Sequence, residues 1–438
     1  MSSPCVSTRL PSRRWLILAV GVAANTAFSA TFNGLPTAAI ALRAQFGLDA
    51  VQLGWLLGAM GLGIAVSELP WGALTDRWGD RPVLITGLGG TALMLGVLAW
   101  ASAAVPGGSG ARVALGAGLF VLGVFGGSVN GASGRAILQN FPPHERGMAM
   151  SVRQTAIPLG GALGALLLPV LCNRYGMAAG FTMLAALTAG SLAAVVIWLK
   201  EAAPVSGSSP ADERHRVGRK TLLASADGPR AALRDREIWR LALGTGLLCA
   251  PQFAVLAFGV LFLHDHAGLS AAHAALVIVA LQVASMVARI LCGRRSDRRG
   301  DRRAFLRRAC LLNAAVFAVL GLSAFDPVAR VMHGVPGGGA AFCVLMLFLS
   351  GVCISAWHGV AYAEVGGVAG VNRAGTALGI TNTAVFLANF AAPVACAQFL
   401  THLGWPAVWL AAAVCALSVR PLFGGREQHE RLAQGGDR

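Results

Sequence analysis

The sequence has 438 residues, of which 55% are hydrophobic and only 12% are charged. Soluble globular domains carry about 25% charged residues, so this composition excludes a soluble protein of that length. The net charge of +16 could indicate a nucleic-acid-binding protein. The positions of the basic residues, described below, explain the charge without such a partner.

Twelve apolar runs follow one another along the chain. A spanning helix needs about 20 apolar residues, and nearly all of the runs reach that length. The runs are 15–40, 51–73, 82–104, 113–138, 147–171, 178–199, 238–263, 271–292, 304–325, 340–364, 375–400 and 405–420. We therefore predict an all-α membrane protein with twelve transmembrane helices. Because twelve is even, both termini lie on the same side of the membrane.

The first run begins at a pair of arginines, Arg13 and Arg14. Such a pair also precedes the apolar stretch of twin-arginine export signals, and residues 27–30 (Ala-Phe-Ser-Ala) resemble a cleavage site. The apolar run continues past that point to Leu42, however. This favours a first transmembrane helix with the arginines at its cytoplasmic end.

The basic residues lie almost entirely on one side of the predicted topology. With a cytoplasmic amino terminus, the arginines predicted on the outside are Arg43, Arg112, Arg174 and Arg330. An excess of Lys and Arg in cytoplasmic loops is the positive-inside pattern of membrane proteins. It predicts a multi-pass protein of the bacterial inner membrane, with both termini cytoplasmic, lipid as its surroundings and no nucleic-acid partner.

A long polar segment, 200–237, divides the runs into two sets of six. Its prolines and its basic run are typical of a cytoplasmic linker. The predicted organisation is a cytoplasmic tail (1–14), a six-helix bundle (15–199), the linker (200–237), a second six-helix bundle (238–420) and a cytoplasmic tail (421–438). Two sets of equal size suggest an internal repeat.

The repeat is visible in the residues. Residues 72–81 read Gly-Ala-Leu-Thr-Asp-Arg-Trp-Gly-Asp-Arg, and residues 293–302 read Gly-Arg-Arg-Ser-Asp-Arg-Arg-Gly-Asp-Arg. A second match aligns 147–155, at the start of the fifth run, with 375–383, at the start of the eleventh. The two bundles are therefore related by pseudo-two-fold symmetry.

The doubled pattern Gly-x-x-x-Asp-Arg-x-Gly-x-Arg resembles the loop signature of the major facilitator superfamily. The resemblance covers essentially the whole chain and implies a secondary transporter that works by alternating access. It also implies a gating role for the loop residues, which are Gly72, Asp76, Arg77, Gly79, Arg81, Gly293, Asp297, Arg298, Gly300 and Arg302.

By this resemblance, Asp76 would hold the start of the eleventh helix near Gly375, and Asp297 the start of the fifth near Gly147. A carboxylate is favoured at a helix amino terminus by the helix dipole. These contacts would form in the outward-open state and break when the halves rock. The alternative is that both loops only set the topology.

Charged residues inside the predicted helices are few, since a charge in the bilayer is costly unless it faces water or a partner. We predict a substrate or coupling role for Arg153, with a structural ion pair to an acid such as Glu68 as the alternative. Arg135 lies closer to its helix end, and we expect it to snorkel to the interface. Glu68 and Arg289 occupy equivalent positions in the two halves, which favours a charge pair or gate as much as local pairing.

The predicted proton-coupling groups are Glu68, Glu364 and His358. A carboxyl near the membrane and a histidine can both exchange protons at physiological pH. Glu364 and His358 lie toward the inner end of the tenth helix, and a merely polar helix end is the alternative for them.

Uncharged polar residues complete the candidate site. Asn25, Ser29 and Asn33 recur every four residues and so share one helix face. We predict that such residues line a central cavity between the halves, with interhelical hydrogen bonding elsewhere as the alternative. The predicted substrate-binding residues are Asn25, Asn33, Asn130, Arg153, Gln154, Gln252, Gln282, His358 and Asn382.

No metal or cofactor is expected. The nine cysteines include no CxxC pair, so neither a zinc site nor a disulfide framework is indicated. The histidines and the aspartate at 264–266, with His273, could bind a metal between the seventh and eighth helices, but a solvated turn is favoured.

Arginines outnumber acids in the predicted pathway, which favours a small organic anion, moved together with protons, as the substrate. Proton-coupled efflux of a hydrophobic drug-like compound is the alternative, and it predicts a pocket of Phe and Met. A membrane enzyme or receptor is disfavoured because the sequence contains no nucleophile with a base at a recognisable spacing and no phosphate-cradling loop. We expect a monomer.

Overall fold

The computed structural model describes residues 11–104, 109–199, 228–325 and 338–424. Most of the predicted linker, the start of the amino-terminal tail, most of the carboxy-terminal tail and Arg330 lie outside these ranges. Within them every regular element is a helix. The α-helices are α1 (Pro11–Phe32), α2 (Ala39–Phe46), α3 (Ala50–Trp78), α4 (Asp80–Ala104), α5 (Ser109–Gly126), α6 (Ser128–Asn140), α7 (Arg146–Gln154), α8 (Ala156–Trp198), α9 (Gly228–Arg234), α10 (Arg236–Asp265), α11 (Ala271–Arg299), α12 (Arg302–Ser323), α13 (Gly338–Ala356), α14 (His358–Ala369) and α15 (Ala374–Ser418).

In the described ranges, ten helical stretches are long and apolar enough to cross a membrane. The stretches that contain α8 and α15 are each broken by a glycine with positive φ, Gly176 (79°) and Gly404 (76°). At the first break, a Cβ on Gly180 would lie only 2.5 Å from the Sγ of Cys172. Eight residues of straight helix would span about 12 Å, so the chain turns back there. With both parts of each broken stretch counted, the described residues contain the predicted twelve spans.

The outer surface of this helical bundle is strongly apolar. Trp55, Leu93, Val113 and Phe390 are each more than two-thirds exposed. A water-soluble monomer rarely exposes so much apolar surface, whereas lipid is a favourable environment for it. The molecule is therefore a multi-pass membrane protein.

The helices form two six-helix bundles, and one hydrophobic core contains residues of both. In the first bundle α1 and α4 pack on α8, and α3 packs on α5; in the second, α10 and α12 pack on α15. The bundles meet where α3 packs on α15 and where α7 packs on α11 and α14. These contacts between the bundles position the polar residues described below.

The first span is shorter than the apolar run 15–40 that predicts it. α1 ends at Phe32, and a 3₁₀ turn over Leu35–Ala38 connects it to the short helix α2. Pro36 has no N–H for a helical hydrogen bond and restricts the preceding residue, so a regular helix does not continue through this segment. Hydrophobicity alone does not reveal this break, because both sides of it are apolar.

Candidate functional site

A cluster of buried polar side chains lies where the two bundles meet, and we call it the central cluster. It contains Asn25, Glu68, Asn130, Arg153 and Gln154 from the first bundle. The second bundle contributes Gln252, Arg289, His358, Tyr362 and Asn382. Polar groups withdrawn from water are costly unless they are hydrogen-bonded, and most of these groups are bonded to one another.

Glu68, on α3, connects the two bundles. Its carboxyl accepts hydrogen bonds from the Nδ2 of Asn130 at 2.5 Å and from the Nδ2 of Asn382, in the other bundle, at 3.1 Å. Asn382 in turn accepts a hydrogen bond from the hydroxyl of Tyr362 at 2.6 Å. Glu68 is 0% exposed, so its partners in this conformation are protein groups.

Arg153, at the end of α7, is held entirely by groups of the first bundle. Its Nη2 donates to the carbonyl of Asn130 at 2.6 Å and to the Oδ1 of Asn25 at 3.3 Å, and its Nε donates to the Oγ of Ser133 at 3.0 Å. The guanidinium and Glu68 thus bind the same residue, Asn130, the first through its backbone carbonyl and the second through its side-chain amide. Arg153 is 1% exposed and makes no ion pair within the described chain.

Arg289, on α11, is the second buried guanidinium of the cluster and is 2% exposed. Its Nε donates to the carbonyl of Ser355 at 2.9 Å, and its Nη1 donates to the carbonyl of Gln154, in the opposite bundle, at 2.5 Å. Gln154 directly follows Arg153, so Arg289 binds, from the opposite bundle, the residue next to Arg153. The predicted pairing of Arg289 with Glu68 is absent from the described contacts; each has other partners.

Gln252 and His358 extend the cluster within the second bundle. The Nε2 of Gln252 donates to the Oγ of Ser355 at 3.2 Å. His358 stacks on the ring of Trp357, contacts the carbonyl of Ser355 at 3.2 Å and lies 3.5 Å from the Sγ of Cys249. The imidazole is therefore buried beside Arg289, which shares the carbonyl of Ser355 with it.

Three predicted site residues lie outside the central cluster. Asn33 is exposed at the end of α1, where its Nδ2 donates to Ser29 at 2.8 Å. Gln282 is half-buried, and no hydrogen bond among the described residues joins it to the cluster. Glu364 pairs with Arg303 at 2.6 Å.

Glu364 belongs to an ion-pair network that is separate from the central cluster. Arg303 also pairs with Glu237, so one guanidinium bridges two carboxyls at the end of the second bundle. Sequence spacing could not reveal this arrangement, because the partners come from α10, α12 and α14.

Sequence reasoning missed Tyr362 as a member of the cluster, and it missed Ser133 and Ser355 as hydrogen-bond partners of its members. Tyr362 is one of only two tyrosines in the chain and follows His358 by four residues, which is one helix turn. That spacing was the available signal for it. The two serines carried no comparable signal, since serine is common on helix interfaces.

The signature loops join the two bundles at one end of the molecule. Asp76 accepts hydrogen bonds from the backbone N–H of Gly375 at 2.8 Å and from that of Thr376 at 2.7 Å. The Oγ1 of Thr376 donates to the same carboxyl at 2.6 Å. The carboxylate thus caps the amino terminus of α15, where the helix dipole favours a negative charge. We call this set of contacts the first latch.

The second latch is its symmetry mate. Asp297, on α11, accepts hydrogen bonds from the backbone N–H of Gly147 at 3.0 Å and from that of Met148 at 2.7 Å, at the start of α7. Arg302 donates to Asp297 at 3.1 Å and also to the carbonyl of Pro143. Both contacts expected from the resemblance are present, while their gating role remains a prediction.

The expectation that Arg135 snorkels to the interface is wrong. Arg135 lies buried against the first latch, with its Nε 3.2 Å from Asp76 and its Nη1 2.8 Å from Asp80. Its Nε also donates to the carbonyl of Val371 at 3.2 Å. The carboxyls of Asp76 on α3 and Asp80 on α4 lie closer to Arg135 than the membrane interface does. The position of Arg135 along α6 does not reveal this, because the two carboxyls come from other helices.

The remaining signature residues lie in the two signature loops, outside the latch contacts. Gly79 (φ 92°) and Gly300 (φ 69°) end α3 and α11 in a backbone conformation that favours glycine. Arg81 donates to the carbonyl of Val196 at 3.1 Å. Arg77 and Arg298 are exposed.

Substitution of Gly72 is expected to disturb the first latch. A Cβ at this position would lie 2.4 Å from the carbonyl oxygen of Gly375, so the helices could not approach as they do. Such overpacking costs about 1–3 kcal/mol. We expect Gly72→Ala to slow transport about tenfold, because 1.4 kcal/mol corresponds to a factor of ten. Gly54→Ala, on the same helix with nothing within 4 Å, is the matched control and should transport normally. Equal rates for the two variants would contradict this packing role.

No group of three or more His, Cys, Asp or Glu that could hold a metal occurs in the described part of the chain. His264 contacts the carbonyl of Leu269 at 2.8 Å, and His273 contacts the Oγ of Ser270 at 2.7 Å. Both contacts are local to the turn between α10 and α11.

Two buried guanidinium groups, one from each bundle, and the buried carboxyl of Glu68 thus belong to one polar cluster, and two latches join the bundles at one end of the molecule. A cation-rich polar site of this kind can bind an anion if the bundles separate around it. In this conformation the cluster members are withdrawn from solvent.

The Major Facilitator Superfamily model matches residues 18–393 of this chain. An uncharacterized MFS-type transporter from Mycobacterium tuberculosis is 31% identical over 93% of this chain and 84% of its own length. The protein named probable sulfoacetate transporter SauU, from Cupriavidus necator, is 24% identical over 84% of this chain and 83% of its own.

A solved structure, the human organic anion transporter MFSD10 (TETRAN), has the same fold, with a TM-score of 0.67 and 21% identity over 95% of this chain and 100% of that one. The family match and the structural similarity both extend over most of the chain, including parts of both bundles. The chain therefore belongs to the major facilitator superfamily and is a secondary transporter that works by alternating access.

Proposed function

We propose that the protein moves a small organic anion across the bacterial inner membrane together with protons, and that the central cluster binds the anion. The observation that carries this proposal is the hydrogen bond of the buried Arg289 across the bundle contact to Gln154, the residue that follows the buried Arg153. When the bundles rock, the hydrogen bond of Arg289 to Gln154 in the first bundle must break. An anion that binds both guanidiniums would replace that bond.

The chemistry of the cluster favours a carboxylate, sulfonate or similar group. An arginine can bind such a group through two parallel hydrogen bonds, and charge-assisted hydrogen bonds of this kind are about twice as strong as neutral ones. An anionic substrate agrees with the similarity to the probable sulfoacetate transporter and to the human organic anion transporter.

Glu68 is our candidate for the proton-coupling group. Its carboxyl accepts hydrogen bonds from Asn130 and from Asn382, which belong to different bundles. Protonation would remove its charge and weaken both bonds, so the bundles could separate more easily. His358 and Glu364 remain the other predicted coupling groups.

We infer that the latch end is cytoplasmic and that this conformation is the outward-facing one. The basic residues gather at the latch end, as the positive-inside pattern requires of a cytoplasmic face. With both latches formed, access from that side is closed.

Efflux of a hydrophobic compound is a second candidate, supported by one observation. The rings of Phe28 and Phe32 in the first bundle lie 6.3 Å and 5.4 Å from the ring of Phe386 in the second. Aromatic side chains between the bundles are what a lipophilic substrate would require.

A binding panel distinguishes the two candidates. The purified protein would be heated with small carboxylates and sulfonates, with uncharged analogues of the same size, and with lipophilic cations. We expect only the anions to raise the unfolding temperature, since a ligand that binds the folded state stabilises it. Stabilisation by lipophilic cations alone would contradict the anion proposal and favour efflux.

Replacement of Glu68 by glutamine is expected to uncouple transport from protons. Glutamine keeps the size and can still accept a hydrogen bond, but it cannot lose or gain a proton at physiological pH. Glu68→Gln should abolish accumulation driven by a pH gradient while exchange of labelled for unlabelled anion continues. Glu364→Gln is the comparison variant, because Glu364 pairs with Arg303. Loss of coupling in Glu364→Gln with normal coupling in Glu68→Gln would assign the proton to Glu364.

A further inference from the structure

A second polar site lies in the second bundle, away from the central cluster. It is a cavity of about 910 Å³ between α11, α12 and α13. Both α11 and α12 pack on α13 but make few contacts with each other, so a gap remains between α11 and α12. Cavities that bind small ligands have about 300–1,000 Å³, so this one is large enough for a specific ligand.

The polar end of the cavity is rich in positive charge. Arg295, Arg299 and Arg308 line it, and all three are exposed, with no ion pair to them among the described residues. The one acid in the lining, Asp301, caps α12, where its Oδ1 accepts a hydrogen bond from the backbone N–H of Ala304 at 2.8 Å. The cavity therefore favours an anion.

Three buried polar side chains of the lining have an unpartnered atom. They are the Oγ of Ser296, the Oδ1 of Asn313 and the Nε1 of Trp357. Each of these residues is at most 1% exposed. A buried polar group without a partner costs about 1–3 kcal/mol, so unpartnered groups beside an open cavity point to a ligand that bonds to them.

The other end of the cavity is apolar and opens to the outer face. Leu312 and Val352 line it, and Leu312 is 54% exposed. Val287 (55%) and Leu291 (58%) on α11 are exposed to a similar degree. A ligand in this cavity would thus have its charged part among the arginines and its apolar part along the bilayer-facing surface.

The site has no counterpart in the first bundle. At the alignment that pairs Asp76 with Asp297, the three arginines correspond to Leu74, Trp78 and Gly87. The latch residues occur in both bundles, whereas the three arginines occur only in the second. The arginines therefore serve something other than the shared mechanics of the two loops.

We propose that this cavity binds a phospholipid with a negatively charged headgroup, its phosphate held by Arg295, Arg299 and Arg308 and its acyl chain lying along Leu312. Arginine clusters at the end of transmembrane helices bind such phosphates through charge-assisted hydrogen bonds. Ser296 adjoins Asp297 of the second latch, so a bound lipid contacts the residue next to the gate.

Lipid binding to the full-length protein in detergent tests this proposal. Short-chain phosphatidylglycerol would be titrated and followed by native mass spectrometry and by unfolding temperature, with phosphatidylcholine and inorganic phosphate as separate arms. We expect saturable binding of phosphatidylglycerol, with at least about tenfold weaker binding in the other two arms, because only phosphatidylglycerol combines net charge with an acyl chain. Equal binding of phosphatidylcholine, or equal stabilisation by inorganic phosphate, would overturn the lipid assignment.

Variants locate the site. Arg295→Gln and Arg308→Gln should each weaken phosphatidylglycerol binding at least about fivefold, since each removes one charge-assisted contact to the phosphate. Arg294→Gln is the matched control, because Arg294 is adjacent and exposed but does not line the cavity. All three substituted residues are exposed, so the lipid-free unfolding temperature should stay unchanged. Equal weakening by Arg294→Gln would mean a general surface attraction and overturn the site.

Discussion

Replacing Arg153 with glutamine is expected to slow anion transport at least about thirtyfold. Removal of a buried, hydrogen-bonded charge costs about 2–5 kcal/mol, and each 1.4 kcal/mol is a factor of ten. Glutamine cannot bond at once to Asn130, Asn25 and Ser133, as the guanidinium does. The measurement is the initial rate of uptake into proteoliposomes, with the amount of inserted protein determined in parallel.

The symmetry of the chain provides the control for this variant. Thr381 occupies the equivalent position in the second bundle and is equally buried, and its Oγ1 donates to the carbonyl of Ala377 at 2.8 Å. Thr381→Ser should transport at the wild-type rate. Arg153→Lys keeps the charge but not the planar fork, so we expect an intermediate rate. A normal rate for Arg153→Gln would exclude Arg153 from the binding site.

The second large effect is expected for Asp76→Asn. The first latch joins Asp76 to two backbone N–H groups, to Thr376 and to the buried Arg135. Asparagine lacks the charge that the helix terminus and Arg135 favour, and it leaves Arg135 with one carboxyl fewer. We expect transport to slow at least about tenfold, because breaking a buried charge pair costs about 3–5 kcal/mol. Hydrogen exchange at the start of α15 should become faster, since the latch protects those amides.

Asp49→Asn is the control for the latch variant. Asp49 also caps a helix, with its Oδ1 accepting from the backbone N–H of Gln52 at 2.7 Å, but both residues belong to the same bundle. Asparagine is an equally good cap there, so transport and exchange should stay normal. If Asp76→Asn inserted correctly and kept wild-type transport and exchange, the latch would have only a topological role.

Much of the fold follows from patterns that are local in the sequence. The twelve spans follow from apolar length, and the two latch contacts were expected from the resemblance of the doubled loop to the superfamily signature. The shortened first span was missed because Pro36 breaks an apolar run without making it polar. The turns at Gly176 and Gly404 lie within the gaps between predicted runs.

The candidate site was only partly predictable. Buried charge is costly in lipid, so Arg153, Arg289 and Glu68 stand out in any apolar helix. Their partners depend on how helices from both bundles meet, which no spacing along one helix reveals. The same reason explains why Arg135 pairs with Asp76 and Asp80 instead of snorkelling, and why the pairing of Glu364 with Arg303 was not foreseen.

Uptake into sealed proteoliposomes tests the central claim most directly. The wild-type protein and Arg153→Gln would be compared with an acidic exterior, using a labelled small carboxylate or sulfonate selected by the binding panel. The account predicts accumulation of the anion above its external concentration by the wild-type protein, collapse of that accumulation when the pH gradient is dissipated, and almost none by Arg153→Gln. Proton-driven movement of lipophilic compounds alone, at the same rate in both proteins, would contradict it.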